Sequence, residues 1–324
     1  MELRSLVLVL EAREPLSYGE ESVGIKMLIK RISLYLPEEG RVISVPVVLG
    51  NALRGVLRDT MAEVFIEELL KHIRRPRWHA GSLVVLFSGG LLKAVERGER
   101  AMSGQIAARI AELLKYLLPL SIMGCALPGR MVPSKIKVST FYPVCSETRP
   151  LVQDLVAQVG SSPLRGRLDK ALGCPIDDLI LDVQLMRKDD ILKILQMARA
   201  RGLELTHVEE VGAEEGPRAR GKAVQMLFYR QALAPGTLLI GKISELMPLR
   251  DEELGLLFLA LGRLSAVGGA IARGFGEVML HPAYDVPEAD EAEAAFRSFI
   301  EESAATISEF LSRSPEEWIA VGGS

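Results

Sequence analysis

The hydrophobic pattern changes period once within the first 70 positions, from extended to helical. Residues 2–12 alternate loosely and are rich in Leu and Val, which predicts a central strand. Residues 15–24 carry Ser17, Tyr18, Gly19 and Ser22 and read as a loop. Residues 23–35 form a second extended stretch with Lys26, Lys30 and Arg31, 37–40 a turn, and 41–49 another strand. At Gly50 the period becomes helical. Leu53, Val56, Leu57 and Thr60 recur at that spacing, so a helix is expected from 51 to about 73. Asn51, the only asparagine in the chain, stands where an N-cap belongs. Positions 45–59 therefore read as an extended segment delivered into a helix N-terminus, where free amides and the dipole favour an anion. Arg54 and Arg58, four apart, share one face of that helix, which would suit a phosphodiester backbone. Ordinary α/β punctuation accounts for this stretch equally well, so the rest of the chain has to decide.

A basic loop with Trp78 and His79 follows, then a predicted short strand at 82–87. Residues 104–118 form an amphipathic helix stopped by Pro119. A glycine- and proline-rich turn then enters a strand whose alternation sets Lys135 and Lys137 on one side. Residues 151–222 are the least regular, with loops around a predicted helix at 189–201. Strands return at 223–229 and 236–246, a helix at 251–264, and a glycine-rich loop at 268–280 leads into the last strand. An acidic helix at 287–313 reads as packing rather than chemistry. The expected fold class is α+β: a ferredoxin-like, RNA-recognition-type palm from residues 1–150 and 223–284, an inserted lobe at 151–222, and a C-terminal acidic helix within 285–324. An open sheet face of that kind reads RNA in many modules, although the aromatic pair usual for base stacking is absent.

Composition sharpens this. Hydrophobic residues at 48% and charged residues at 25% belong to a folded globular chain. No apolar run reaches membrane-spanning length, and Cys125, Cys145 and Cys174 are odd in number and far apart. A cytoplasmic protein with buried thiols is expected, and the scarcity of Asn leans towards a thermophilic source. The net charge of −3 argues against nucleic acid, yet the charges are segregated. Lys71, Arg74, Arg75 and Arg77 form one basic cluster, Arg130, Lys135 and Lys137 another, and Arg218, Arg220, Lys222 and Arg230 a third. Acids gather at 209–215 and 285–302. The glycines at 268–276 follow a helix and precede a strand, which is the wrong order for a dinucleotide fingerprint, and no P-loop lysine is present. His72, His79, His207 and His281 have no metal or triad spacing. No cofactor is expected.

Three blocks resemble one family. Residues 46–58 resemble the strand-to-helix motif of the RAMP superfamily. Ser121 to Gly124, followed by Gly129-Arg130-Met131 and the strand from Lys135 to Val138, is similar to its second block, and 269–278 to its signature glycine-rich loop. Together they point to the backbone (Cas-seven-type) subunit of CRISPR effector complexes. The resemblance implies a ferredoxin-like palm, a thumb hairpin from the middle region, and copies assembled head-to-tail along a CRISPR RNA beside other effector subunits. In type III backbone subunits a catalytic aspartate follows a Gly-Ile pair before the first helix; here Gly24-Ile25 is followed by Lys26. No carboxylate is expected at that place, so the resemblance favours a non-cleaving type I or type IV subunit with DNA as the complex's target. The implied RNA-binding positions are Lys26, Asn51, Arg54, Arg58, Arg130, Lys135, Lys137, Arg220, Lys222, Gly269, Arg273 and Gly274, with no catalytic residue and no metal. The alternatives are a RAMP endoribonuclease processing precursor RNA, a target-RNA-cleaving type III subunit, and an unrelated α/β enzyme with an anionic substrate at the Asn51 helix.

Overall fold

The computed structural model describes residues 5–18, 21–23, 26–37, 39–90, 104–127, 130–188, 197, 200–202, 225–283 and 288–320. Its centre is β1 (Ser5–Ala12), buried on both faces, as its Leu/Val run requires. Leu6, Leu8, Leu10 and Ala12 belong to the main core, whereas Val7 and Val9 belong to a second cluster on the opposite face. On one side β1 pairs antiparallel with β13 (Val278–Pro282), and on the other with β12 (Leu238–Glu245). β12 in turn pairs antiparallel with β8 (Ile136–Val138) and, further along, with β9 (Tyr142–Pro143). The order β13-β1-β12-β8 places one strand between β1 and β8, and one between β12 and β13.

A helix lies in each of those connections. α1 (Gly50–Leu70) buries Leu53, Leu57, Met61, Phe65 and Leu69, a stripe spaced every fourth residue. Arg263, at the end of α7 (Asp251–Arg263), forms an ion pair with Glu67 of α1. The acidic C-terminal segment forms α8 (Ala289–Ser312), whose Ala292, Phe296, Ile300, Ala304, Ile307 and Leu311 make one buried stripe against α7 and leave its acids outside. It is an outer packing layer, as its sequence predicts.

Several expectations change. Residues 82–87 are not a strand but part of α2 (Ala80–Ser88). The run is too short for periodicity to decide, and the ends decide instead. His79 Nδ1 accepts from Gly81 N–H at the start, and Gly89 closes the far end at φ 74°. Pro119 ends α3 (Gly104–Tyr116) but also opens α4 (Leu118–Met123), where a first-turn proline loses no hydrogen bond. The irregular middle holds α5 (Arg149–Gln158) and α6 (Pro163–Ala171). Their Val152, Val156 and Leu168 pack on Val7, Val9, Leu238 and Ile240. Among the described residues the second sheet face is therefore covered by α5 and α6, not open as expected. Cys125 and Cys145 are buried as expected, but Cys174 is exposed.

A second sheet has the order β10-β11-β3-β2. In it β10 (Ile180–Lys188) and β11 (Gln225–Leu233) pair over nine positions, and β3 (Lys26–Leu28) lies parallel to β11 beside β2 (Glu21–Val23). Hairpins β4–β5 (Arg31–Leu36, Arg41–Pro46) and β6–β7 (Cys125–Leu127, Arg130–Val132) complete the strands used here. Most of the predicted helix at 189–201, together with His207, Gly24-Ile25 and Gly129, lies outside the described residues.

Candidate nucleic-acid interface

The Lys26 segment and the glycine-rich loop both reach β11. Register places Lys26 opposite Tyr229 and Met27 opposite Arg230. The glycine-rich loop reaches the same strand: the Arg273 guanidinium lies 5.7 Å from the centre of the Phe228 ring, and Arg230 lies 5.4 Å from that of Phe275. Successive side chains of a strand alternate, so Lys26 lies on the Tyr229 face of β11 and Arg273 on the opposite, Phe228 face; both aromatics are half buried. An exposed guanidinium beside an aromatic face offers one group to a phosphate and one to a base. Phe228 had no periodic or motif signal; only its cross-sheet neighbours single it out.

Backbone constraints hold the loop in place. Gly268 (φ 97°) and Gly276 (φ 86°) each sit where an added Cβ would lie 2.5 Å from a carbonyl oxygen, that of Ser17 or Val267. Gly269 N–H donates to Ser17 O at 2.9 Å, and Gly276 N–H to Pro15 O at 3.0 Å. Gly274 (φ 77°) faces open space. Gly268→Ala is therefore expected to destabilise the protein by about 3 kcal/mol, strain and clash together, and Gly274→Ala by only about 1 kcal/mol. Urea unfolding of both variants checks this; equal costs would show that the approach to Ser17 is not tight.

Lys26 does not stand apart from carboxylates as expected. Its Nζ lies 2.7 Å from Asp182 Oδ2, supplied across the sheet by β10, and both side chains are about half exposed (42% and 44%). A pair this open contributes at most about 1 kcal/mol, so Lys26 can exchange it for a phosphate at little cost.

The start of α1 departs from the anion site read in the sequence. Leu49, not Asn51, is the N-cap, and Asn51 is an exposed second helical residue without a capping bond. Gly50 packs so closely on β8 that an added Cβ would lie 2.2 Å from Val138 O and 2.8 Å from Ser139 O. Carbonyl oxygens occupy the space that an anion would need. Arg54 and Arg58 do share a face, but it is half buried and turned towards other carbonyls. Arg54 Nη2 donates to Met123 O. Arg58 donates to Ser88 O at 2.9 Å and to Met123 O at 3.3 Å, at the ends of α2 and α4. Burial, then the charge of Arg54, pushes the Arg58 pKa down. The glycine-rich loop does not lie beside this terminus either. It follows Arg263, which meets α1 at Glu67, thirteen residues and about 20 Å beyond Arg54.

Lys135 and Lys137 separate. Lys135 turns inward to Glu253 of α7, 2.8 Å from both carboxylate oxygens, while Lys137 is exposed on β8. Arg130 opens β7, half buried. Arg220 and Lys222, with Arg218, lie outside the described residues. Among the described residues no cluster of three His, Cys, Asp or Glu could hold a metal ion, and no helix is long and apolar enough to cross a membrane.

Among the described residues the chain is thus a mixed α+β protein with a five-stranded antiparallel sheet, covered by helices on both faces, and several smaller sheets beside it. Neither a protein-family model nor a curated protein matches it. Among solved structures it is similar to a chain of a type IV-B CRISPR complex, at 14% identity and a TM-score of 0.48, covering 87% of this chain and 94% of that one. It is also similar to the crystal structure of Thermofilum pendens Csc2, at 13% identity and a TM-score of 0.40, covering 97% of this chain and 87% of that one.

Proposed function

We propose that this protein is a non-catalytic backbone subunit of a CRISPR effector ribonucleoprotein, binding CRISPR RNA in several copies along the guide. The observation that carries the reading is the stacking of Arg273, from the glycine-rich loop, on the half-buried Phe228 of β11, with Lys26 on the other face of the same strand. The strand order β13-β1-β12-β8, with α1 and α7 in its connections, supports a ferredoxin-like palm formed by 1–150 and 223–284. The β10–β11 pair supports a thumb hairpin springing from 151–222. Lys26 at the position of the type III aspartate, ion-paired to Asp182, supports a subunit that does not cleave, in a complex of type I or type IV whose target is DNA. Its partners are the guide, the target strand, other effector subunits and further copies of itself, joined head-to-tail in an open array in the cytoplasm. Lys137 and Arg130, with Arg220 and Lys222, extend the RNA path.

Such binding rests on phosphate contacts and should be steeply salt-dependent with little sequence preference. With about three phosphates neutralised, affinity for an unrelated single-stranded RNA should fall about tenfold or more between 50 and 200 mM salt. Fluorescence anisotropy measures it, and Lys26→Glu with Arg273→Glu should remove most of the binding at unchanged melting temperature. Salt-independent affinity, or full affinity in that double variant, would exclude this interface. The ratio of absorbance at 260 and 280 nm in freshly purified protein, before and after a high-salt wash, is the quickest check for carried RNA.

A further inference from the structure

β1 carries one acid near its end, and two guanidiniums and an imidazole, from the exit of β1, α6 and β13, converge on it. Glu11 is 4% exposed, on the sheet face that α5 and α6 cover. Arg167 of α6 donates from Nη1 and Nη2 to its two oxygens at 3.1 and 2.8 Å, Arg13 Nη1 donates at 3.3 Å, and His281 Nε2 of β13 lies 3.0 Å from Oε2. The Arg167 bonds, with those of His281 and the charge of Arg13, outweigh burial and hold the Glu11 carboxyl at about 2. One bidentate guanidinium is enough to satisfy one carboxylate and to clasp α6 to the sheet. Arg13 and His281 exceed that need. Glu11 is the only carboxylate paired with any of the three among the described residues, so its two guanidiniums leave the cluster an excess of one positive charge. The side chains of Arg13 and Arg167 are 45% and 46% exposed, and the second Nη of Arg13 meets only the Met279 thioether, a weak acceptor, at 3.4 Å.

We infer that Arg13, Arg167 and His281, held together by the buried Glu11, form a binding site for the oxyanion of a phosphate group. The site is separate from Lys26 and Arg273 and goes beyond the proposed function. Glu11 fixes the guanidiniums in place, so little side-chain freedom remains to be lost on binding. The oxyanion could come from free phosphate or from a nucleic-acid strand, and the probes distinguish them. Full-length protein labelled with 15N-arginine and 15N-histidine is titrated, at constant ionic strength, with inorganic phosphate and separately with a short oligouridylate. Saturable shifts confined to Arg13, Arg167 and His281 are expected with inorganic phosphate at millimolar concentration, weakened at least fivefold in Arg13→Gln and in His281→Gln. Shifts with the oligomer alone would assign the site to a strand; shifts with both would assign it to any phosphate oxyanion. No shift, or shifts spread evenly over surface arginines, would overturn the inference and leave the cluster as a clasp. If wild-type protein takes phosphate here but binds no RNA by anisotropy, the RNA reading fails while this site stands.

Discussion

Lys135→Met is expected to destabilise the protein by about 2–3 kcal/mol, the usual cost of removing one charged partner from a buried group that keeps others. Glu253 is fully buried at the start of α7, and its oxygens accept from Lys135 Nζ, Ser121 Oγ and the Arg250 backbone N–H and guanidinium. That network joins α4, the entry to β8 and α7, so without Lys135 the buried carboxylate keeps only Ser121 and Arg250 as partners. Burial raises the Glu253 carboxyl, but the bonds from Arg250, Lys135 and Ser121 outweigh it and hold the group below its ordinary 4.5. A depressed folded value adds stability above the unfolded pKa and loses it as pH falls through the folded one. Weakening the depression in Lys135→Met should therefore move acid unfolding to higher pH. Urea unfolding at pH 7 and an acid titration of the melting temperature test both effects. Lys137→Met, on the exposed neighbour, should change stability by no more than about 0.5 kcal/mol. A Lys135 variant within 1 kcal/mol of wild type would mean that the pair is not buried as described.

The double reversal Arg54→Glu with Arg58→Glu should unfold the protein or cost it on the order of 4 kcal/mol or more, not the roughly 0.5 kcal/mol of an exposed face. Each guanidinium is bonded to carbonyl oxygens at helix C-termini, where a cation is favoured and an anion repelled. Glutamate there would lose several charge-assisted bonds and face the same oxygens with a negative charge. Chemical denaturation read by far-UV circular dichroism is the measurement. A soluble variant with wild-type stability would return the pair to the surface, and with it the case for a phosphate-facing α1. Loss of RNA binding in this variant by itself would say nothing about contact, because the fold is expected to fail first.

The expectations that held are those with local causes. The Leu/Val run of β1, the fourfold stripe of α1, the α7 and α8 helices and the final strand follow from side-chain period and helix ends, which neighbours in sequence decide. The α+β class was legible for the same reason. The errors share a different cause. Residues 82–87 carry β-branched apolar residues that suit either period, and the helix there rests on a cap from His79 and on packing. Residues 149–171 show little periodicity because they bury only a few valines and leucines against a sheet distant in sequence.

The candidate site divides along the same line. Sequence determined which residues carry charge, and that glycines would shape the loop before the last strand. It could not tell a cation facing solvent from one facing carbonyl oxygens, because Arg54, Arg58 and Lys135 find their partners 30 to 118 residues away. Nor could it bring Lys26 to Asp182, Arg273 to Phe228, or Arg167 and His281 to Glu11. Hydrophobic period fixes which face of an element is buried, whereas strand pairing and helix docking fix which charges meet across the gap, and those depend on the whole chain closing on itself.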